Sequence, residues 1–562
     1  METTVAAHLG RMSQLREAMT MPRLAAHLFE LLYEQGVRHA FGLPGDFALT
    51  LFDALAESPL EIVVMTHEPC VGFAADAYSR VRGLGVAVVT YGVGALNMVN
   101  SVAQAYAEKS PLVVISGGPG VRERREHELL HHKVKTFESQ WRVYQEVTAY
   151  ATILDNPLTA DAEIHKALDI ALTFKRPVYL EIPRDMVMAE IEELPYTPQP
   201  VKRTDRGALL EAVSETVKML NDAQSPVLLV DVEVHRFGLQ LQVVELAERL
   251  GVPVCSTLLG KSAFPEHHPQ YIGVYNGEAG DPRVREIVES SDCLLMLGAF
   301  LTDINLGMFT ANIDPCRTVL ANSERVRIRH HEYSNVEFVS FVQELCQSPD
   351  LLHRDPSWIV PMQPRVQPCD GLLTMSGVLY ELNAFIDDET LMVTDVGDPM
   401  FAATDIKTHE GTSFLCPAYY ASMGFAIPGA VGAALGDPFR RVVVLVGDGA
   451  FLMTGMELLT IKRLGLNPII LVLNNRGYTS LRTMGHQQAT YLHQFPEVDF
   501  AQLATTFGGV GFVVETAEQL RLALAKAKEL PTFSVLDIRL RPDDVSPALQ
   551  RLGDLFAQRL KG

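Results

Sequence analysis

Two short stretches carry residues whose types and spacing could do chemistry. "RRVVVLVGDGA" sets Asp448 between Gly447 and Gly449, and "NPIILVLNNRG" ends in Asn474, Asn475, Arg476 and Gly477. The Asp448 carboxylate, the Asn475 amide oxygen and the Gly477 carbonyl are hard oxygen ligands, which suit Mg²⁺ or Ca²⁺ and not zinc. Magnesium usually keeps positions for phosphate oxygens and water. The backbone N–H groups of Gly449 and Ala450 would open the next helix and could donate to phosphate. The chemistry on offer is therefore a metal-bridged diphosphate. Either motif alone is more often a tight turn or a cap. Together, at the two ends of one βαβ unit, they favour a site.

The elements that must position these groups are apolar runs followed by glycine or aspartate and then a helical pattern. "ETLMVTDVGD", "RRVVVLVGDG" and "NPIILVLNN" alternate with helices in the last third of the chain. "VAVVTYGVG" and "PLVVISGGPG" do so in the first third, and "SPVLLVDVEV" and "DCLLMLGAFLTD" in the middle. Such runs read as strands of parallel sheets. In open parallel sheets, ligands bind beyond the carboxyl ends of the strands, where Asp448 and Asn475 fall on runs expected to be neighbours. Proline-rich, charged stretches at 194–206 and 346–371 read as linkers. They leave α/β domains at 20–193, 207–345 and 372–545, with a C-terminal segment 546–562.

Bulk properties narrow the partners. A chain of 562 residues is too long for one core, and three domains is the natural division. A net charge of −21 argues against nucleic acid, which requires a basic face. The same charge repels anionic substrates, so an acid-binding site here needs its own local positive charge. The cysteines Cys70, Cys255, Cys293, Cys316, Cys346, Cys369 and Cys416 are scattered and form no CxxC pair. Free thiols in a reducing cytoplasm are expected. No apolar run reaches the ~18 residues of a membrane span, and residues 1–20 lack the apolar segment of a signal peptide.

GDG, some two dozen residues, then NN resembles the signature of thiamine-diphosphate-dependent enzymes. Nearly the whole chain is similar to their 2-keto acid decarboxylases. "FGLPGDFALTLFDAL", "THEPCVGFAADAYSRVRG" and "LLHHK" resemble segments of the first domain, and "GVYNGEAGDPRVREIVESSDCLLMLGAFLTDINLG" resembles the middle domain. The indolepyruvate and phenylpyruvate decarboxylases are the branch it resembles most. The resemblance implies three domains: pyrimidine-binding, a Rossmann-like middle domain, and diphosphate-binding. It implies thiamine diphosphate and Mg²⁺ as cofactors, an obligatory homodimer with the cofactor between subunits, and dimers pairing into homotetramers. The implied reaction is non-oxidative decarboxylation of a 2-keto acid to aldehyde and CO₂ through a thiamine diphosphate ylide.

The resemblance also assigns roles. Glu68 would exchange a proton with the pyrimidine ring, although a helix-entry glutamate is its plainer reading. Ala421 would offer its carbonyl to the amino group, and Met423 would prop the bent cofactor, although a core thioether is equally ordinary. Asp398 falls where relatives place a phosphate-contacting hydroxyl; a carboxylate there would have to act through water or metal. Asp46, His131 and His132 match polar residues over the reacting carbon, and histidine can pass protons near neutrality.

One position departs from the pattern. Pyruvate decarboxylase-like enzymes carry a glutamate where "NNRGYTSLRT" has Leu481. Either activity is lost, or another group took over and the pocket became more apolar; the intact Asp46, Glu68, Asp448 and Asn475 favour the second. Asp281, in "GEAGDPRV", is an expected substitute carboxylate, with a surface-turn aspartate as the alternative. Ser480, Leu481, Met484, Met400 and Phe401 are expected to wall a pocket preferring aromatic or long aliphatic side chains over pyruvate. A carboligase of the same fold and a non-catalytic cofactor-binding homologue are the rival readings. The Asp46 and His-His set argues against the first, and Leu481 alone supports the second. The absence of a GxGxxG fingerprint in the middle domain weakens a dinucleotide oxidoreductase.

Overall fold

The computed structural model describes residues 21–193, 195–197, 204–362, 365–484, 491 and 495–559. Residues 1–20, part of the 194–206 linker and the last three residues of the C-terminal segment lie outside these. The chain divides into two compact units. One comprises residues up to 72, 84–106 and 111–199; the other comprises 73–83, 107–110 and 200 onward.

The first unit is built on a six-stranded sheet. Its strands are β1 (His39–Leu43), β2 (Glu61–Val64), β3 (Gly85–Val89), β4 (Leu112–Gly118), β5 (Tyr150–Ile153) and β6 (Val178–Pro183). Their order is β2-β1-β3-β4-β6-β5, and every pairing is parallel. Central β3 and β4 are buried along their whole length, as the unbroken apolar runs require when helices cover both faces.

The second unit holds two sheets. One contains β7 (Pro226–Val230), β8 (Val254–Ser256), β9 (Tyr271–Val274), β10 (Cys293–Leu297), β11 (Thr318–Ala321), β12 (Val326–Ile328) and β13 (His331–Tyr333), ordered β13-β12-β11-β10-β7-β8-β9. It is parallel except at the β11-β12-β13 edge, where short hairpin strands run antiparallel. The other contains β14 (Thr390–Thr394), β15 (Ser413–Leu415), β16 (Arg441–Gly447), β17 (Ile469–Asn474), β18 (Val510–Val514) and β19 (Ser534–Arg539), ordered β15-β14-β16-β17-β19-β18, all parallel. The segments that follow strands of the first sheet pack on the core of the second. Val232, Leu258 and Ile304, which follow strands of the first, belong to the same core as Met392, Leu445 and Leu473 on strands of the second.

This last sheet positions the motifs. After β14 the chain goes to one side, to β15, and then returns to the other side as β16. The order therefore reverses between β14 and β16, which opens a crevice at their carboxyl ends. Gly447 of β16 stands opposite Leu473 of β17, so Asp448 and Asn475 leave adjacent strands, as expected. The C-terminal helix Pro547–Arg559 packs closely beside this corner: a methyl group on Gly553 would lie 2.5 Å from Thr483 Cγ2. All seven cysteines are free thiols. No helix among the described residues is long and apolar enough to cross a membrane.

Candidate functional site

In the second unit, a cavity of about 350 Å³ opens at the carboxyl ends of β14, β16 and β17. Asp398, Met400, Phe401, Ala421, Met423, Asp448, Gly449, Ala450, Asn475, Gly477, Ser480, Leu481 and Met484 all line it. Residues scattered from 398 to 484 thus meet on one surface because three strand ends and their following turns converge there.

The Asp448 carboxylate is buried, only 3% exposed. Its Oδ1 accepts from the Gly449 N–H at 2.7 Å and its Oδ2 from the Gly477 N–H at 3.1 Å, which ties the two turns together. Burial pushes its acid up to about 6, against the lowering effect of these N–H groups. Asn475 Oδ1 is buried with no hydrogen-bond partner among the described residues. A buried acceptor without a protein partner is costly and has room for a partner such as water or an ion. Next to a carboxylate, it fits a hard cation. Asn474 braces the sheet instead. Its amide donates to Asp537 Oδ1 at 2.8 Å and to the Val498 carbonyl at 3.2 Å, which holds β17 against β19. The Gly449 N–H is spent on Asp448, so of the two expected phosphate donors it is already occupied in this arrangement.

Asp398 faces the cavity, but its carboxylate accepts from the Ser546 N–H at 3.3 and 3.1 Å. Burial raises this acid to about 6. It anchors the entry to the C-terminal helix, so the expected role at phosphate is not supported by its partners. Leu481 is 46% exposed and sits at the cavity's edge. Asp281 is not among the lining residues. It caps the helix Pro282–Ser290 by accepting from Arg283 N at 2.9 Å, and its carboxylate also pairs with the Arg283 guanidinium and, at 3.4 Å, with Arg365. Burial would raise this acid, yet the two arginines hold it below the usual carboxylate range. Asp281 thus acts as a helix cap, a pattern that "DP" at a helix start could have revealed.

Several residues of the site escape a reading of the sequence. Asp303, Ile304 and Met308 bring the loop after β10 into the cavity wall. Buried Asp395, just past β14, accepts from Gly424 N at 3.0 Å and Ala426 N at 2.8 Å, so it holds the turn that carries Met423. An aspartate at the end of an apolar strand was its only signal.

In the first unit, Asp46 opens a short 3₁₀ turn, Asp46–Ala48, after β1. Its Oδ2 pairs with His131 Nε2, and its Oδ1 lies 3.5 Å from His132 Nε2. Phe47 stacks on His131 with ring centroids 4.7 Å apart. Desolvation opposes ionisation of Asp46, but the two imidazoles outweigh it and hold the acid below its ordinary value. His132 adopts a left-handed φ of 66° and packs on Gly92, where a Cβ would lie 2.5 Å from the His132 carbonyl. Glu68 begins the helix Glu68–Arg82, and its Oε2 accepts from Asn97 Nδ2 at 2.8 Å. Asn97, which also lies 2.9 Å from His67 Nε2, was not foreseen.

Three family models match in chain order: the N-terminal thiamine pyrophosphate-binding domain over 22–139, the central domain over 213–348 and the C-terminal thiamine pyrophosphate-binding domain over 395–538. The indole-3-pyruvate decarboxylase of Azospirillum brasilense is 40% identical over 90% of this chain and 93% of its own. The chain belongs to the thiamine pyrophosphate enzyme family. Within that family, the pyruvate decarboxylase of Aspergillus fumigatus is 30% identical over 97% of this chain and 99% of its own. Pyruvate decarboxylase isozyme 2 of Saccharomyces cerevisiae is 30% identical over 86% and 88%. The three sheets are those of a thiamine pyrophosphate enzyme, one per matched domain.

Proposed function

We propose that this thiamine pyrophosphate enzyme decarboxylates 2-keto acids to aldehydes and CO₂, with aromatic or long aliphatic substrates preferred over pyruvate. The carrying observation is the buried, unpartnered Asn475 Oδ1 beside buried Asp448 at one end of a largely apolar cavity. Asp448, Asn475 and the Gly477 carbonyl would hold Mg²⁺; Ala421, Met423 and Ala450 would seat thiamine diphosphate. When bound, that cofactor supplies the electron sink for loss of CO₂.

The chain's own residues do the remaining work. Asn97 orients the Glu68 carboxylate, which would hold and release a proton at the pyrimidine. Asp46 keeps the His131 and His132 imidazoles turned toward one carboxylate, where they would pass protons at the substrate. Met400, Phe401, Leu481 and Met484 exclude water from the reacting carboxylate, so its negative charge is poorly solvated before CO₂ leaves. The same side chains, with small Ser480, support the preference for large substrates, as does similarity to an indole-3-pyruvate decarboxylase.

The sequence boundaries 20–193, 207–345 and 372–545 each enclose one sheet and belong to this proposal, as does a cytoplasmic location. So does the homodimer, pairing into a tetramer. Leu452, Met453, Met456 and Leu459 are about half exposed along the helical stretch that starts at Asp448, an apolar strip that a second copy would cover. Sedimentation of the purified protein tests the assembly, and a monomer that turns over at full rate would rule it out. The function is tested by supplying Mg²⁺, thiamine diphosphate and a panel of 2-keto acids, then measuring CO₂ and product. The expected result is free aldehyde with the highest kcat/KM for an aromatic substrate. A condensed hydroxyketone as the main product, the highest kcat/KM for pyruvate, or no CO₂ from any substrate would refute it.

A further inference from the structure

The stretch from Cys416 to Ala426 in the second unit is gripped at both ends by buried carboxylates. At its far end stands Asp395, on Gly424 N and Ala426 N. At its near end, Glu108 Oε1 accepts the N–H groups of two consecutive residues, Tyr419 at 2.8 Å and Tyr420 at 2.9 Å. Glu108 is itself fixed. Its Oε2 lies 2.8 Å from Arg80 Nη1, and Arg80 forks onto Asp76 through Nε and Nη2, each at 2.8 Å. Arg80 Nη1 also donates to the Cys416 carbonyl at 3.1 Å. All three charged side chains are at most 1% exposed. Arg236, partly buried, donates to the Glu108 backbone carbonyl at 3.3 Å, so two guanidinium groups balance two carboxylates. Buried charge is costly unless it is paired this completely.

Between the two grips the backbone is unusual. Ala421 N donates to the Pro417 carbonyl at 3.0 Å, and Ala421 has φ 59°, a left-handed conformation that a residue with a Cβ seldom adopts. Ala421 and Met423 are the residues of this stretch that line the cavity. A conformation of that kind persists only where its surroundings over-determine it.

We infer that Glu108, seated on the Asp76–Arg80 pair, is a positioning residue for the cofactor: it holds Tyr419 and Tyr420 so that Ala421 stays left-handed and presents its carbonyl and Met423 to the cavity. This rests on the reading that Ala421 and Met423 seat thiamine diphosphate. The quantity that matters is the place of one carboxylate oxygen, not its charge. Glu108→Gln keeps an acceptor oxygen at the same reach, whereas Glu108→Asp keeps the charge and withdraws the oxygen by one methylene.

The test measures thiamine diphosphate affinity in Mg²⁺ by calorimetry, the near-ultraviolet circular dichroism of the bound cofactor, and apo-protein melting. Glu108→Asp should bind the cofactor roughly tenfold or more weakly, with an altered dichroic band. Glu108→Gln should stay closer to wild type. Adding Ala421→Gly to Glu108→Asp should recover affinity, because glycine takes this φ without being held. Melting should not follow the same order. Should neither Glu108 variant fold, Arg80→Lys, which loses the fork onto Asp76, is expected to show the same weakened binding and altered band. Wild-type affinity and spectrum in Glu108→Asp or in Arg80→Lys, a Gln variant weaker than Asp, or no rescue by glycine would overturn the inference. Failure of the wild-type protein to bind thiamine diphosphate would instead overturn the cofactor reading beneath it.

Discussion

The two polar clusters are built on opposite plans. Asp448 and Asn475 leave adjacent central strands, are 3% and 5% exposed, and face a mostly apolar cavity. Asp46 and His131 lie on a short turn and a loop, with side chains 45% and 61% exposed. Burial on rigid strand ends suits a role that needs fixed oxygens and little water, such as holding a cation and a diphosphate. Exposure on a loop suits groups that must exchange protons with their surroundings. On the proposed reading, the difference would place cofactor holding and proton handling at the substrate in separate parts of the fold.

Substitutions can break or sharpen that contrast. The largest effect is expected for Asp448→Ala, which removes the proposed metal ligand and the tie between two turns. Turnover should fall by roughly a thousandfold or more in a standard CO₂-release assay. His131→Ala should lower kcat about a hundredfold, with a shifted pH–rate profile, since it removes the proposed proton-handling group from an exposed position. A loss of less than about twofold would detach this cluster from catalysis. Leu481→Glu puts a carboxylate at the cavity edge, and the ratio of aromatic to pyruvate kcat/KM should drop roughly tenfold.

Asp398 gives a pH signature in the apo protein. Its acid rises from 3.8 to about 6 on burial, so the folded state binds this proton more tightly than the unfolded chain. Its ionisation therefore costs stability above pH 6, and that cost is relieved as pH falls toward 4. Wild type should gain on Asp398→Asn by roughly 1–3 kcal/mol between about pH 8 and 5 in chemical denaturation. A pH-independent difference would show that the carboxylate is not buried. The smallest effect is expected for Asp281→Ala: unchanged turnover and about 1 kcal/mol of stability lost with the helix cap. A large fall in kcat would restore Asp281 to the site.

Much of this was legible in the sequence, for local reasons. Continuous Val, Ile and Leu runs ending in glycine or aspartate dictate buried parallel strands. GDG and NN sit at strand ends a few residues from their own sheet positions, so Asp448, Asn475 and Gly477 fall where expected. The pocket side chains Met400, Phe401, Ser480, Leu481 and Met484 follow from the same turns. What escaped depends on contacts distant along the chain. Asp398 meets Ser546, and Glu108 meets Tyr419 and Tyr420, across separations that no local pattern encodes. For Asp281 a local pattern was also available: the adjacent Pro282 marks it as a helix cap, whatever further role the resemblance implies.

Whether cofactor holding and proton handling are truly separate can be measured directly, as thiamine diphosphate retained per chain after gel filtration in Mg²⁺ for wild type, Asp448→Ala and His131→Ala. Full retention is expected in wild type and His131→Ala, and almost none in Asp448→Ala. Retention by Asp448→Ala, or equal loss from His131→Ala, would contradict the separation.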